Sequence, residues 1–116
     1  MKILARAHGV YYLATGVWPL AHIDSFQAVT GAKTDLWLVK TVGLLICVIG
    51  AAVWISSRRT VPGPETVVLA SGAALALGFV DVFYSARGVI SKIYLLDAPV
   101  EAALAGAWIF LWNRGK

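Results

Sequence analysis

Four apolar segments of about 20 residues each take up most of this 116-residue chain. They run approximately from Ile3 to His22, Leu36 to Ser56, Glu65 to Ala86 and Ser91 to Trp112. A helix of about 20 residues is about 30 Å long, which matches the hydrocarbon thickness of a bilayer. Charged residues make up only 14% of the chain, and its mean hydropathy is +0.78, so polar surface is too scarce for a soluble globule. The sequence therefore predicts an all-α membrane protein with one domain over residues 1–116.

Short connections between these segments predict an up-down-up-down bundle of four transmembrane helices. The first connection contains Asp24-Ser25-Phe26-Gln27, a capping-box pattern led by Asp24, and Gly31 follows, so we expect a short amphipathic helix there. Basic residues then favour both termini on the cytoplasmic side. That side would carry Lys2, Arg6, Arg58, Arg59, Arg114 and Lys116, and the other side Lys33, Lys40, Arg87 and Lys92. Tryptophans near the predicted segment ends, Trp108 among them, are expected to form interfacial belts.

The stretch Asp97-Ala98-Pro99-Val100-Glu101 places two carboxylates one helical turn apart in otherwise apolar sequence. Asp81 lies on the small-residue face of the third segment, and helix rise puts it at a depth similar to that of Glu101. Because a carboxylate is costly to bury in hydrocarbon, we expect a polar pocket in the outer half of the bundle. Asp81 and Glu101 are its predicted inner acids, Asp97 a rim or capping residue, and Pro99 a kink beside them.

Several further polar residues are expected at this pocket. Lys40 is the predicted counter-ion, and the lining is expected to include Tyr11, Tyr12, Thr15 and His22, with Tyr84 and Tyr94 nearby. One alternative is a purely structural ion cluster in which Lys40 and Arg87 neutralise the acids. Another is that Lys40 snorkels towards the membrane surface.

Other chemistries find little support in the sequence. The single cysteine, Cys47, excludes an internal disulfide and a thiolate-rich metal site. His8 and His22 are about 21 Å apart along a helix, so they do not share one metal ion. We expect no cofactor, and a haem or pigment held by one of these histidines is the disfavoured alternative. The basic residues sit at segment ends and not on one face, so nucleic acid is not an expected partner.

Two runs of the sequence resemble a known class of proteins. The run Tyr11-Tyr12-Leu13-Ala14-Thr15-Gly16-Val17-Trp18-Pro19-Leu20 and the glycine-spaced run Val42-Gly43-Leu44-Leu45-Ile46-Cys47-Val48-Ile49-Gly50 resemble small bacterial four-helix membrane proteins of the DoxX-like kind. The resemblance covers roughly half of the chain and implies a bacterial inner-membrane location and an accessory or quinone-linked role. The acids alone suggest a more distant similarity to four-helix sterol-isomerase and sigma-2-type receptors, which hold ligands within the membrane.

These observations favour a non-enzymatic membrane protein. It is expected to bind a small lipophilic or cationic ligand at the acids, or to pack as an accessory subunit in a homo-oligomer or larger complex within membrane lipid. The small-residue faces of the segments favour such partners. The alternatives are an oligomeric proton-coupled transporter and an isomerase-type enzyme acting on a membrane-soluble substrate.

Overall fold

The computed structural model describes residues 2–31, 35–59 and 63–114, and its structure is 89% helical. The helices are α1 (Lys2–Ala21), α2 (Ile23–Thr30), α3 (Leu36–Ser56), α4 (Pro64–Ala86) and α5 (Asp97–Arg114), and a 3₁₀ turn at Lys92–Leu96 precedes α5. No strand occurs in the described ranges. The predicted all-α class is therefore confirmed. Lys33 and Lys116, which enter the predicted charge balance, lie outside the described residues.

Three stretches of the described chain are long and apolar enough to cross a membrane: Leu36–Ser56, Pro64–Ala86 and Lys92–Arg114. The first is α3, the second is α4, and the third joins the 3₁₀ turn to α5. Helix α1 has 20 residues but is not among them. Its sequence includes Lys2, Arg6 and His8, which lower its hydropathy. The structure thus contains three helices that are long and apolar enough to span a membrane, and the fourth predicted span is not among them.

Helices α1 and α3 pack closely and run antiparallel, with four glycines at their contact. Gly9 lies against Gly50, and Gly16 lies against Gly43. Residue numbers therefore increase along α1 in the direction in which they decrease along α3. A Cβ built on Gly50 would come within 2.9 Å of the Gly9 carbonyl oxygen. Glycine at these positions therefore lets the two backbones approach each other directly.

Helix α5 packs antiparallel to both α4 and α1. Gly78 of α4 lies beside Glu101, while Trp108, two turns further along α5, joins an apolar cluster with Val67 and Ala70. Ala5 of α1 and Val53 of α3 complete that cluster, which is buried at the end of the helices that carries the termini. The acids near the start of α5 are consequently held towards the opposite end.

The short helix α2 is present, but its predicted N-cap is wrong. His22 occupies the N-cap position, and its Nδ1 accepts a hydrogen bond from the backbone N–H of Ser25 at 3.1 Å. Asp24 lies in the first turn instead. Phe26 is buried against Trp18 of α1, with ring centroids 5.4 Å apart. This contact fixes α2 on the end of α1.

Pro99 does not kink a continuous helix as predicted. The chain forms a 3₁₀ turn over Lys92–Leu96, capped by the Ser91 hydroxyl, and α5 begins only at Asp97. Pro99 is therefore in the first turn of α5. Backbone N–H groups in a first turn have no partner within the helix, so proline is tolerated there.

Candidate functional site

Three carboxylates from two helices meet in one place. Asp81 of α4, and Asp97 and Glu101 of α5, each offer an oxygen, and these oxygens all lie within 4.8 Å of one another. Glu101 is 1% exposed and Asp81 is 4% exposed, whereas Asp97 is half-buried. We call these three residues the acidic cluster. The structure thus brings the predicted inner acids together, and Asp97, the predicted rim or capping residue, lies with them.

Small residues explain how the two helices bring these acids so close. A Cβ added at Gly78 would lie 3.3 Å from the Cβ of Glu101, so glycine leaves room for α5 at this level. Asp81 follows Gly78 by three residues and lies almost one turn further along the same side of α4. Asp97 and Glu101 share a face of α5 because they are four residues apart. Asp97 is also in the first turn of α5, where the helix dipole favours a negative charge.

Two consecutive tyrosines of α1 donate hydrogen bonds to the cluster. The Tyr12 hydroxyl donates to Oε1 of Glu101 at 2.7 Å, and this bond is buried. The Tyr11 hydroxyl donates to Oδ1 of Asp97. Oδ2 of Asp81 is buried and accepts no hydrogen bond from any described residue. The cluster therefore has two phenol donors and one carboxylate oxygen that remains unsatisfied.

No basic side chain of the described ranges forms an ion pair with the acidic cluster. The ion pair that those ranges contain joins Arg59 and Glu65, which lie outside the cluster. Lys40, the predicted counter-ion, is exposed on α3, whose main neighbour is α1. The contact between Gly16 and Gly43 places Lys40 about two turns from the level of Tyr12, which meets Glu101, so Lys40 does not reach the acids. The Arg87 guanidinium lies over the ring of Phe83, 5.2 Å from its centroid. The structure thus gives neither cation the role that the structural ion cluster requires.

The remaining residues predicted at the pocket lie in other surroundings. The Thr15 hydroxyl donates to the Tyr11 carbonyl oxygen of its own helix at 2.6 Å. His22 is exposed and caps α2. Tyr84 is 40% exposed and its ring packs edge-on against Phe83. Tyr94 is half-buried in the 3₁₀ turn. Of the predicted lining, Tyr11 and Tyr12 reach the acids through their hydroxyls.

A buried pair below the cluster was missed. The indole Nε1–H of Trp108 donates to Nδ1 of His8 at 3.0 Å, and both residues are 0% exposed. His8 also packs edge-on against Tyr12, with ring centroids 4.2 Å apart. The prediction that Trp108 belongs to an interfacial belt is therefore wrong, because its polar N–H has a partner inside the protein. The four-residue spacing of His8 and Tyr12 was the available signal, since it places both on one face of α1.

A shallow apolar groove of about 310 Å³ lies between α4 and α5. It is lined by Ala74, Leu75, Gly78, Phe79, Val82, Ala98 and Ala102. Gly78 borders both this groove and the stem of Glu101. The groove offers contact to a lipid chain or to another helix, but no polar group for chemistry.

The acidic cluster is suited to holding a positive charge. Three carboxylates so close together repel one another unless a cation or protons reduce their charge. Their oxygens all lie within 4.8 Å of one another, so one bound cation, or protonation of some of the carboxyl groups, would relieve the repulsion. The cluster can therefore bind a cation or exchange it for protons.

No family model matches the chain, and no curated protein or solved structure matches it.

Proposed function

We propose that this chain is an integral membrane protein that binds a small cation at the acidic cluster. In this proposal α1 crosses the membrane together with α3, α4 and α5, and the four helices alternate in direction. The alternating packing of α1 against α3 and of α4 against α5 supports that arrangement. The polar residues of α1 do not oppose it, because His8, Tyr11 and Tyr12 meet partners on α5.

The proposed orientation has both termini in the cytoplasm of a bacterial inner membrane. Arg6, Arg58 and Arg114 lie at the end of the helices that carries the termini, and Arg6 and Arg58 both approach the ring of Trp54. Such a concentration of positive charge beside an aromatic ring is typical of the cytoplasmic interface. The acidic cluster would then lie in the outer half of the membrane. Asp97, its half-buried member, would face the outside.

The observation that carries the proposal is that the three converging carboxyl groups of the acidic cluster have no basic partner among the described residues. Two of its carboxylates are almost completely buried, and no lysine or arginine of the described residues pairs with them. A structural ion cluster requires its own cation, and the described chain does not provide one. A cation from outside would supply the missing charge.

Thermal unfolding in phosphatidylcholine nanodiscs tests this function. The full chain would be titrated with methylammonium, choline, Ca²⁺ and Mg²⁺ as separate probes. We expect at least one of them to raise the unfolding midpoint of the natural protein, and expect Glu101→Gln to abolish that rise. Glu65→Gln is the matched control, because Glu65 is exposed. If none of the four probes raises the unfolding midpoint of the natural protein more than that of Glu101→Gln, cation binding at the cluster is refuted.

A second candidate is a role as an accessory subunit or homo-oligomer. The observation in its favour is the apolar groove between α4 and α5, whose small residues permit a helix to approach closely. We propose a second copy of the chain as its occupant. Mass measurement in mild detergent tests this, and Ala102→Trp should reduce any dimer by filling the groove. A monomeric natural protein at all concentrations would contradict it.

A further inference from the structure

We infer that the cation held by Asp81, Asp97 and Glu101 is a divalent metal ion of calcium-like size, an inference that rests on the proposed cation-binding function. The three ligand atoms that the acidic cluster offers are all carboxylate oxygens. Hard divalent cations such as Ca²⁺ and Mg²⁺ prefer oxygen ligands, whereas zinc sites use nitrogen and sulfur as well. The donor set therefore selects the class of ion.

The spacing of the oxygens fits one coordination shell. Ca²⁺ binds oxygen at about 2.4 Å, so two oxygens on opposite sides of the ion are about 4.8 Å apart. The three oxygens of the acidic cluster lie within 4.8 Å of one another, so a single ion can contact all three. Mg²⁺ demands near-ideal octahedral geometry and gives up its waters reluctantly, so it is seldom held by protein ligands alone. A cluster with two enclosed carboxylates therefore favours Ca²⁺.

Asp81 supplies a second and independent indication of a ligand. It is 4% exposed, and its Oδ2 has no hydrogen-bond partner among the described residues. A buried carboxylate oxygen without a partner is costly, so native proteins rarely leave one in that state. Its carboxylate is directed into the cluster, since one of its oxygens is among the three that converge. A metal ion there would satisfy it.

Charge favours a divalent ion over an organic ammonium. A divalent ion neutralises two of the three carboxylate charges, whereas an ammonium neutralises one. Recognition of an organic cation commonly uses the faces of aromatic rings. Tyr11 and Tyr12 instead meet the cluster through their hydroxyls. These phenols resemble the outer hydrogen-bonding shell that orients ligand carboxylates around a metal.

Access to the site is provided by Asp97. Asp97 is half-buried, whereas Asp81 and Glu101 are buried. Asp97 is therefore the most exposed carboxylate of the cluster. An ion arriving from the aqueous side would meet Asp97 first. Asp97 lies in the first turn of α5, directly after the 3₁₀ turn.

Calorimetric titration of the full chain in phosphatidylcholine nanodiscs tests the inference, with CaCl₂, MgCl₂ and methylammonium chloride as probes. We expect one Ca²⁺ per chain and binding of Mg²⁺ that is about tenfold weaker or more. Asp81→Asn and Asp97→Asn should each weaken Ca²⁺ binding at least about tenfold, and Tyr12→Phe by about 10- to 100-fold. Asp24→Asn is the matched control, because Asp24 is exposed and lies outside the cluster. Asp97→Asn keeps the test valid if the change at buried Asp81 prevents folding.

The outcomes separate the two proposals. If methylammonium binds at the cluster and Ca²⁺ does not, the metal inference is refuted while cation binding stands. If no probe binds, both are refuted. Equal Ca²⁺ binding by the natural protein, Asp81→Asn and Asp97→Asn would place the ion elsewhere and would also refute the inference.

Discussion

Replacing Gly16 with alanine is expected to destabilise the protein, because the contact between α1 and α3 has no space for a methyl group. A Cβ at Gly16 would lie 2.5 Å from the Gly43 carbonyl oxygen and 2.7 Å from Sγ of Cys47. The first distance is about 0.9 Å below the 3.4 Å at which ordinary contact begins. Cys47 can rotate, but the Gly43 oxygen belongs to the backbone. The two helices must therefore separate.

The magnitude follows from two opposing effects. Overpacking a close interface typically lowers the free energy of unfolding by about 1–3 kcal/mol. The higher helix propensity of alanine raises it by up to about 1 kcal/mol relative to glycine. We expect Gly16→Ala to lose up to about 2 kcal/mol in the free energy of unfolding, and to be about 1–3 kcal/mol less stable than a protein with alanine at an unobstructed glycine. Separation at Gly16 would also disturb Tyr12, whose Cβ is 2.9 Å from the position of a Cβ on Gly50. The acidic cluster should then lose part of its hydrogen bonding.

Two other glycines provide matched controls. Gly72 on α4 and Gly106 on α5 have no atom within 4 Å of a built Cβ. Alanine at either position should leave stability unchanged or raise it by up to about 1 kcal/mol. The assay is unfolding in mixed micelles of mild detergent and dodecyl sulfate, followed by circular dichroism. If Gly16→Ala is as stable as Gly72→Ala, the close backbone contact between α1 and α3 is refuted.

Three further changes test the surroundings of the acidic cluster by the same unfolding assay. Tyr12→Phe should cost about 1–3 kcal/mol, because Oε1 of Glu101 loses its buried donor; an unchanged stability would contradict that bond. Trp108→Phe should also cost about 1–3 kcal/mol, since Nδ1 of His8 is left without its indole donor, and a neutral result would show that the pair is not formed. Lys40→Met should change stability by less than about 0.5 kcal/mol because Lys40 is exposed, so a loss above that value would argue for an ionic role.

The sequence predicted the helical segments well where length and hydropathy are decisive. The limits of α3, Leu36 to Ser56, agree with the structure. The start of the last helix was less predictable, because a 3₁₀ turn and an α-helix share similar local composition. Without that boundary, Pro99 was assigned to a helix interior, where proline would kink the chain. Its actual place in the first turn removes the reason for a kink.

The sequence led to the contact between Asp81 and Glu101 but misplaced Lys40 relative to them. The helix rise gave Asp81, Glu101 and Lys40 similar heights, and this alone suggested that all three meet. The structure brings two of them together and leaves Lys40 exposed on another helix. The register of one helix along another depends on their contacts, and here the glycines shared by α1 and α3 place Lys40 about two turns from the level of Tyr12. Such packing cannot be derived from the period of one segment.

The low hydropathy of α1 is explained by what it contacts. His8, Tyr11 and Tyr12 make the helix less apolar, and each of them has a polar contact with α5. Burial of polar groups in lipid is costly for each helix alone, and the cost falls when the groups bond to one another. If α1 crosses the membrane as proposed, it is therefore best stabilised there with α5 beside it. On this argument the helix that looks least like a membrane span is the one that supplies the hydrogen-bond donors to the acids.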